Sequence, residues 1–113
     1  MYFLYVILGN PRPKNRNEKP IRLYLLSAIA QLERQHKPMS PINVPVNVCC
    51  LIYRSDNRRT DLVNHLNTAC DVLVKSGILA DDNSRIIASM NGSKVLYDKD
   101  NPRVEIYISP AVL

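Results

Sequence analysis

The chain has 113 residues, 46% of them hydrophobic, which supplies one domain with one modest core and excludes a disordered chain. A formal charge of +5 and a pI near 9.3 favour a polyanionic partner such as nucleic acid over an acidic-protein role. Three cysteines, two of them adjacent at Cys49 and Cys50, make no paired disulfide framework and lack the CxxC spacing of a zinc site, so a reducing, cytoplasmic setting is expected.

The first element is an apolar and aromatic run from Tyr2 to Leu8, closed by Gly9. No basic residues precede it, it is too short to span a bilayer, and no small-residue cleavage site follows. It reads as a strand covered on both faces, at the centre of a sheet, with no membrane role. The stretch from Gly9 to Pro20 carries three prolines and Arg12, Lys14, Arg16 and Lys19, which predicts an exposed basic loop. From Pro20, apolar residues recur at three- and four-residue spacing (Ile21, Leu25, Ala28, Ile29, Leu32), the signature of an amphipathic helix ending before Pro38.

Residues 39–45 are proline-rich and irregular. Val46 to Tyr53 follows as an apolar strand, and Pro45 beside it predicts a sheet edge or a late start in the sheet. A second basic loop, Arg54 to Thr60, then delivers the chain to a second helix. Thr60 is the expected N-cap and Asp61 suits the positive end of the helix dipole. At about 100° per residue, Leu62, Val63, Leu66, Ala69, Cys70, Leu73 and Val74 fall on one, apolar side, and Asp61, Asn64, His65, Thr68 and Lys75 on the other. Gly77 is placed to end this helix, and Asp81, Asp82 and Asn83 form a polar turn. Arg85 to Met90 and Lys94 to Tyr97 read as short strands of a hairpin about Asn91 and Gly92, and Val104, Ile106 and Ile108 alternate with polar residues in a last strand with one buried face. The fold expected is α/β in the α+β sense: strand, helix, strand, helix, then strands, with two helices packed on a mixed sheet in a single domain over residues 1–113.

Two constellations carry chemistry. Asp61, Asp81 and Asp82 are oxygen ligands suited to Mg²⁺, a hard cation that retains waters; an N-cap and an Asp-Asp-Asn turn are equally ordinary structural devices. A helix from Asp61 to Ser76 holds its ends roughly 22 Å apart. One chain therefore builds the metal site only if residues 77–82 run back along the helix; otherwise a dimer builds it. The two basic loops, with Arg12, Lys14 and Arg16 in the first and Arg54, Arg58 and Arg59 in the second, read either as phosphate contacts or as solvated surface. His65 reads as a solvated helical histidine, and the three cysteines as packing residues.

GNPRPKNR after a first strand, then RRTDLVNHLNTACDVLVKSGILADDNSRI, then PRVEIYI, resembles the RusA-type Holliday junction resolvases. The DLxN segment at Asp61 to Asn64, followed by a helix, a glycine and an Asp-Asp pair, is the most specific part. The resemblance implies a small, cytoplasmic, homodimeric, Mg²⁺-dependent endonuclease of DNA recombination and repair. Such an enzyme cuts four-way junctions by paired nicks, and its relatives are often carried on prophages. It makes Asp61 and Asp82 the catalytic aspartates, Asp61, Asp81 and Asp82 the metal ligands, and Asn64 and Lys75 further DNA contacts. Two positions depart from the pattern: Val63 stands where the family has a second aspartate, and Asn67 where it has a helical lysine. Valine coordinates no cation and asparagine brings no positive charge. Asp56 or Asp71 then helps hold the ion while Lys14 or Arg59 supplies the charge. Otherwise the chain is a branched-DNA-binding module that does not cut, or a small basic protein-interaction domain.

Overall fold

The computed structural model describes residues 2–13 and 19–111. Five strands and two helices follow in the order β1 (Phe3–Leu8), α1 (Lys19–Glu33), β2 (Val46–Arg54), α2 (Leu62–Lys75), β3 (Ile87–Ser89), β4 (Lys94–Tyr97) and β5 (Arg103–Pro110). The strands form one mixed sheet in the order β1-β5-β2-β3, with β4 also paired to β2. β5 runs antiparallel to both β1 and β2, from Phe3 opposite Ile108 and from Val46 opposite Pro110. The expected α+β architecture, two helices on a mixed sheet, is what forms.

Alternation decides which face is buried. Tyr5 and Ile7 of β1, Val46, Val48, Cys50 and Ile52 of β2, and Val104, Ile106 and Ile108 of β5 all point inward. Ala28 and Leu32 of α1 and Ala69, Val72 and Leu73 of α2 close over them. Each fully buried aliphatic side chain contributes about 1.5–3 kcal/mol by leaving water. Among the described residues no helix covers the opposite sheet face. There Arg103 bonds Asp98 at 2.8 Å and Glu105 at 2.7 Å, and its guanidinium lies 3.9 Å from the centroid of the Tyr53 ring.

Three strand expectations change. β1 is an edge strand, with Leu4 and Leu8 more than half exposed. Its aromatic and apolar run was consistent with a central strand because α1 seals the open edge. The Gln35 side chain accepts from Val6 N (3.0 Å) and donates to Val6 O (2.8 Å), and Gln31 does the same at Leu8 (2.7 and 3.1 Å). Two side-chain amides thus stand in for a missing strand and satisfy the unpaired backbone groups that would template aggregation. Of the two readings Pro45 allowed for β2, an edge or a late start, the edge is not formed: β2 is the central strand and begins after Pro45, which removes no ladder donor. β3 is shorter than expected and forms no hairpin with β4. Both lie parallel to β2, β3 at Val46 and Asn47, β4 at Leu51 to Arg54. The Asn91-Gly92 turn steps the chain along one edge instead of reversing it, and Gly92 there has φ +89°.

A candidate site at the amino-terminal end of helix α2

α2 begins one residue later than expected. Asp61, extended at φ −94°, ψ 111°, is the N-cap, its Oδ1 accepting from Val63 N at 2.9 Å. Its Oδ2 accepts from Asn64 Nδ2 at 3.3 Å, so Asn64 supports the carboxylate. Asp61 remains exposed. Thr60, freed from capping, instead meets His65, with 2.9 Å between Oγ1 and Nε2.

The helix is also rotated from its expected phase. His65 and Thr68 are buried at 3% and 4% exposure, while Val63 is 63% exposed. The inward seam is His65, Thr68, Ala69, Val72, Leu73 and Ser76, a more regular three- and four-residue spacing than the purely apolar set. Sequence reasoning sorted His65 and Thr68 by their chemistry and so missed the signal of their phase. Burial first, then the positive charge of Arg54, pushes the His65 pKa down to about 4, although Asp61 acts to raise it. The imidazole is therefore neutral at neutral pH.

Both basic loops contact the first half of this helix. Thr68 Oγ1 donates to Arg12 O at 3.1 Å, tying the first loop to α2. Asn10 Oδ1 accepts from Ser55 N at 3.0 Å, tying the two loops to each other. Asp56 Oδ1 accepts from Arg58 N at 2.9 Å and so shapes the second loop. Arg12, Arg58 and Arg59 are exposed and Arg54 is half-buried. Among the described residues none of these four is paired with a carboxylate, and Arg54 Nε is buried without a partner. Lys14 and Arg16 lie outside the described residues. Lys75 sits at the far end of α2, about 20 Å away by helical rise, and pairs with Asp71 at 4.0 Å.

The acidic turn returns only part of the way. Gly77, at φ +80°, ends α2 with Gly77 N on Val74 O (3.0 Å) and Ile78 N on Leu73 O (3.0 Å), the paired bonds that close a helix through a left-handed residue. Ala80 N then bonds Ile42 O at 2.9 Å. Asp82 comes within electrostatic range of Cys70, whose thiol is pushed up to about 11 by burial first, then by Asp82 and Asp71. The two acidic neighbours differ. Asp81 is spent on the turn, accepting from Asp82 N (2.7 Å) and Asn83 Nδ2 (3.3 Å), whereas Asp82 is exposed and its carboxylate makes no hydrogen bond or ion pair among the described residues.

Asp61 and Cys70 differ by about 13 Å of helical rise, and among the described residues no three His, Cys, Asp or Glu side chains gather where they would hold a metal ion. A closed protein cage for Mg²⁺ is thus not formed within these residues of one chain. The donor chemistry does fit an ion held by one or two carboxylates and completed by phosphate oxygens and water, the usual arrangement for Mg²⁺. The face of α2 between Asp61 and Asp82 carries Val63 and Asn67, both exposed and uncharged.

Compared with known families, residues 9–109 match the family described as endodeoxyribonuclease RusA. No curated protein matches the chain. No helix among the described residues is long and apolar enough to cross a membrane.

Proposed function

As the chain belongs to the RusA endodeoxyribonuclease family, we propose that it binds four-way and other branched DNA as a homodimer and cuts it by paired, Mg²⁺-dependent nicks. The observation that carries this reading is the set of four arginines, Arg12, Arg54, Arg58 and Arg59, that have no carboxylate partner among the described residues and sit on the two loops that meet the first half of α2, whose positive end is capped by Asp61. A guanidinium without an internal counter-ion is available to a phosphate, and the helix dipole adds to that attraction. Lys75, already paired with Asp71, is a weaker candidate for the same role.

In this reading the arginines hold the scissile phosphate across the mouth of the two loops, and Asp61 and Asp82 approach it along the exposed face of α2. Asp61 or Asp82, with phosphate oxygens and water completing the shell, would hold a Mg²⁺ ion, which would supply Lewis-acid stabilisation of the charge that develops on the phosphate. Asn64 keeps the Asp61 carboxylate oriented, and Asp81 keeps the turn that presents Asp82. Water adds to phosphorus and one phosphate–sugar bond breaks, leaving two ends per nick. A partner copy supplies the second nick on the opposite arm.

A synthetic four-way junction is expected to be nicked with Mg²⁺ and left intact without it, and Asp82→Asn is expected to abolish nicking while junction retention in a gel shift persists. Robust cutting by that variant removes Asp82 from the mechanism. One observation favours a second reading, a junction-binding module that does not cut: Val63 and Asn67 are surface residues facing solvent. If the chain binds junctions without cutting them, and Val63→Asp with Asn67→Lys raises cleavage by about tenfold or more, equivalent to ~1.4 kcal/mol, the second reading holds.

A further inference from the structure

The buried polar groups of α2 are not explained by packing. Apart from Ser76 at the C-cap, the rest of the seam they occupy is apolar, and a leucine at position 65 would be buried without desolvating a ring nitrogen. His65 and Thr68 each reach a different loop: His65 meets Thr60 at 2.9 Å, and the Thr68 hydroxyl is shared between the Arg12 carbonyl at 3.1 Å, 56 residues away in sequence, and the Asn64 carbonyl of its own helix at 3.2 Å. Asn10 and Ser55 close the circuit between those loops at 3.0 Å. A small cavity lined by Pro11, Arg12, Tyr24, His65 and Thr68, with room for about one water molecule, marks where α2 and the first loop meet. Bonds of this kind matter most for what they hold still, since a buried donor or acceptor left without its partner is strongly disfavoured.

We propose that His65 is a positioning residue: through Thr60 it fixes the residue immediately before Asp61, so that the N-cap carboxylate and the second basic loop are held in place before any ligand arrives. Thr68 and Asn10 hold the first loop in the same frame. The role of the Asp61 carboxylate toward metal and phosphate rests on the function proposed above; the positioning itself does not, and the two are measured separately.

The test uses the full chain with His65→Leu, Thr60→Val, their combination, and His65→Gln. Backbone amide exchange is read first, without DNA or metal. His65→Leu and Thr60→Val are each expected to speed exchange at the Asp61-capped amide of Val63 at least tenfold, with Ile78 and Leu79 beyond the far end unchanged. The combination is expected to add nothing beyond the larger single change, and His65→Gln, which keeps a polar group toward Thr60, is expected to restore most of the protection. Unchanged exchange at Val63, or additive effects in the double variant, overturns the proposal whether or not the chain cuts DNA. Should His65→Leu fail to fold, Thr60→Val and His65→Gln carry the same comparison. With junction substrate, His65→Leu is expected to lower kcat at least tenfold with less than a threefold change in KM; a change confined to KM likewise overturns it. A chain that neither binds nor cuts junctions, yet shows the exchange pattern, removes the proposed function and leaves the positioning intact.

Discussion

The two ends of α2 are built by opposite means. The carboxy-terminal end closes mainly within one turn: Ser76 and Gly77 return bonds to Val72, Leu73 and Val74 around a positive-φ glycine, and Lys37 Nζ adds a bond to Ser76 O at 3.2 Å. The amino-terminal half is a junction of distant segments, where Thr60 meets His65, the Arg12 carbonyl meets Thr68, and Asn10 ties the two loops together through Ser55. Local closure depends on backbone geometry and tolerates change elsewhere. Closure by distant side chains makes the terminus sensitive to many positions, which is the arrangement that also brings uncommitted charge together.

Three experiments sharpen that contrast. The largest effect is expected from Asp61→Asn. Asparagine caps helices about as well as aspartate, so thermal stability should stay within a few tenths of a kcal/mol while Mg²⁺-dependent junction cleavage falls about 100-fold or more. A parallel loss of stability and cleavage would make Asp61 a cap and nothing else. Next is Gly77→Ala at the opposite end. A Cβ there meets nothing within 4 Å, so the penalty is conformational, about 1–2 kcal/mol for a side chain at φ +80°. Denaturant unfolding should show it with junction affinity unchanged; weaker junction binding would mean that the two ends are coupled.

The smallest effect concerns pH. His65 holds a depressed pKa of about 4 in the fold against an ordinary value of about 6.5. Between these values the unfolded chain binds the proton and the folded one resists it, so the His65 contribution is complete above pH 6.5 and is lost as pH falls toward 4. Unfolding midpoints from pH 7 to pH 4.5 should fall by on the order of 1 kcal/mol, allowing for solvent screening near the helix end, and His65→Gln should flatten that part of the profile. An equally steep profile in His65→Gln would assign the slope to other groups.

Much of the second helix was legible because its signals are local. Gly77, the acidic turn, Leu73 and Ala69 on the buried side, and Asp61 near the start are all readable within a few residues. The phase error at Val63, His65 and Thr68 arose where polarity and periodicity disagree: buried polar groups are stable only with partners, and those partners, Thr60 and the Arg12 carbonyl, are recognisable only after folding. The strand order was read wrongly for a related reason. An apolar run such as Tyr2 to Leu8 reports that a strand is largely covered and not by what. Here Gln31 of α1 and Gln35 just beyond its end do the covering.

By itself, then, the sequence determined the element order, the two basic loops, the glycine stop and the acidic residues placed at either end of α2. All of these follow from backbone preferences and short-range periodicity. Only the tertiary structure decided that β2 is central and β1 an edge, that Asp81 serves its turn while Asp82 stays uncommitted, and that His65 and Thr68 face inward to tie both loops to the first half of one helix. Those are matters of which distant groups satisfy a buried polar atom, and hydrogen-bond partners separated by dozens of residues leave no periodicity in the chain to read.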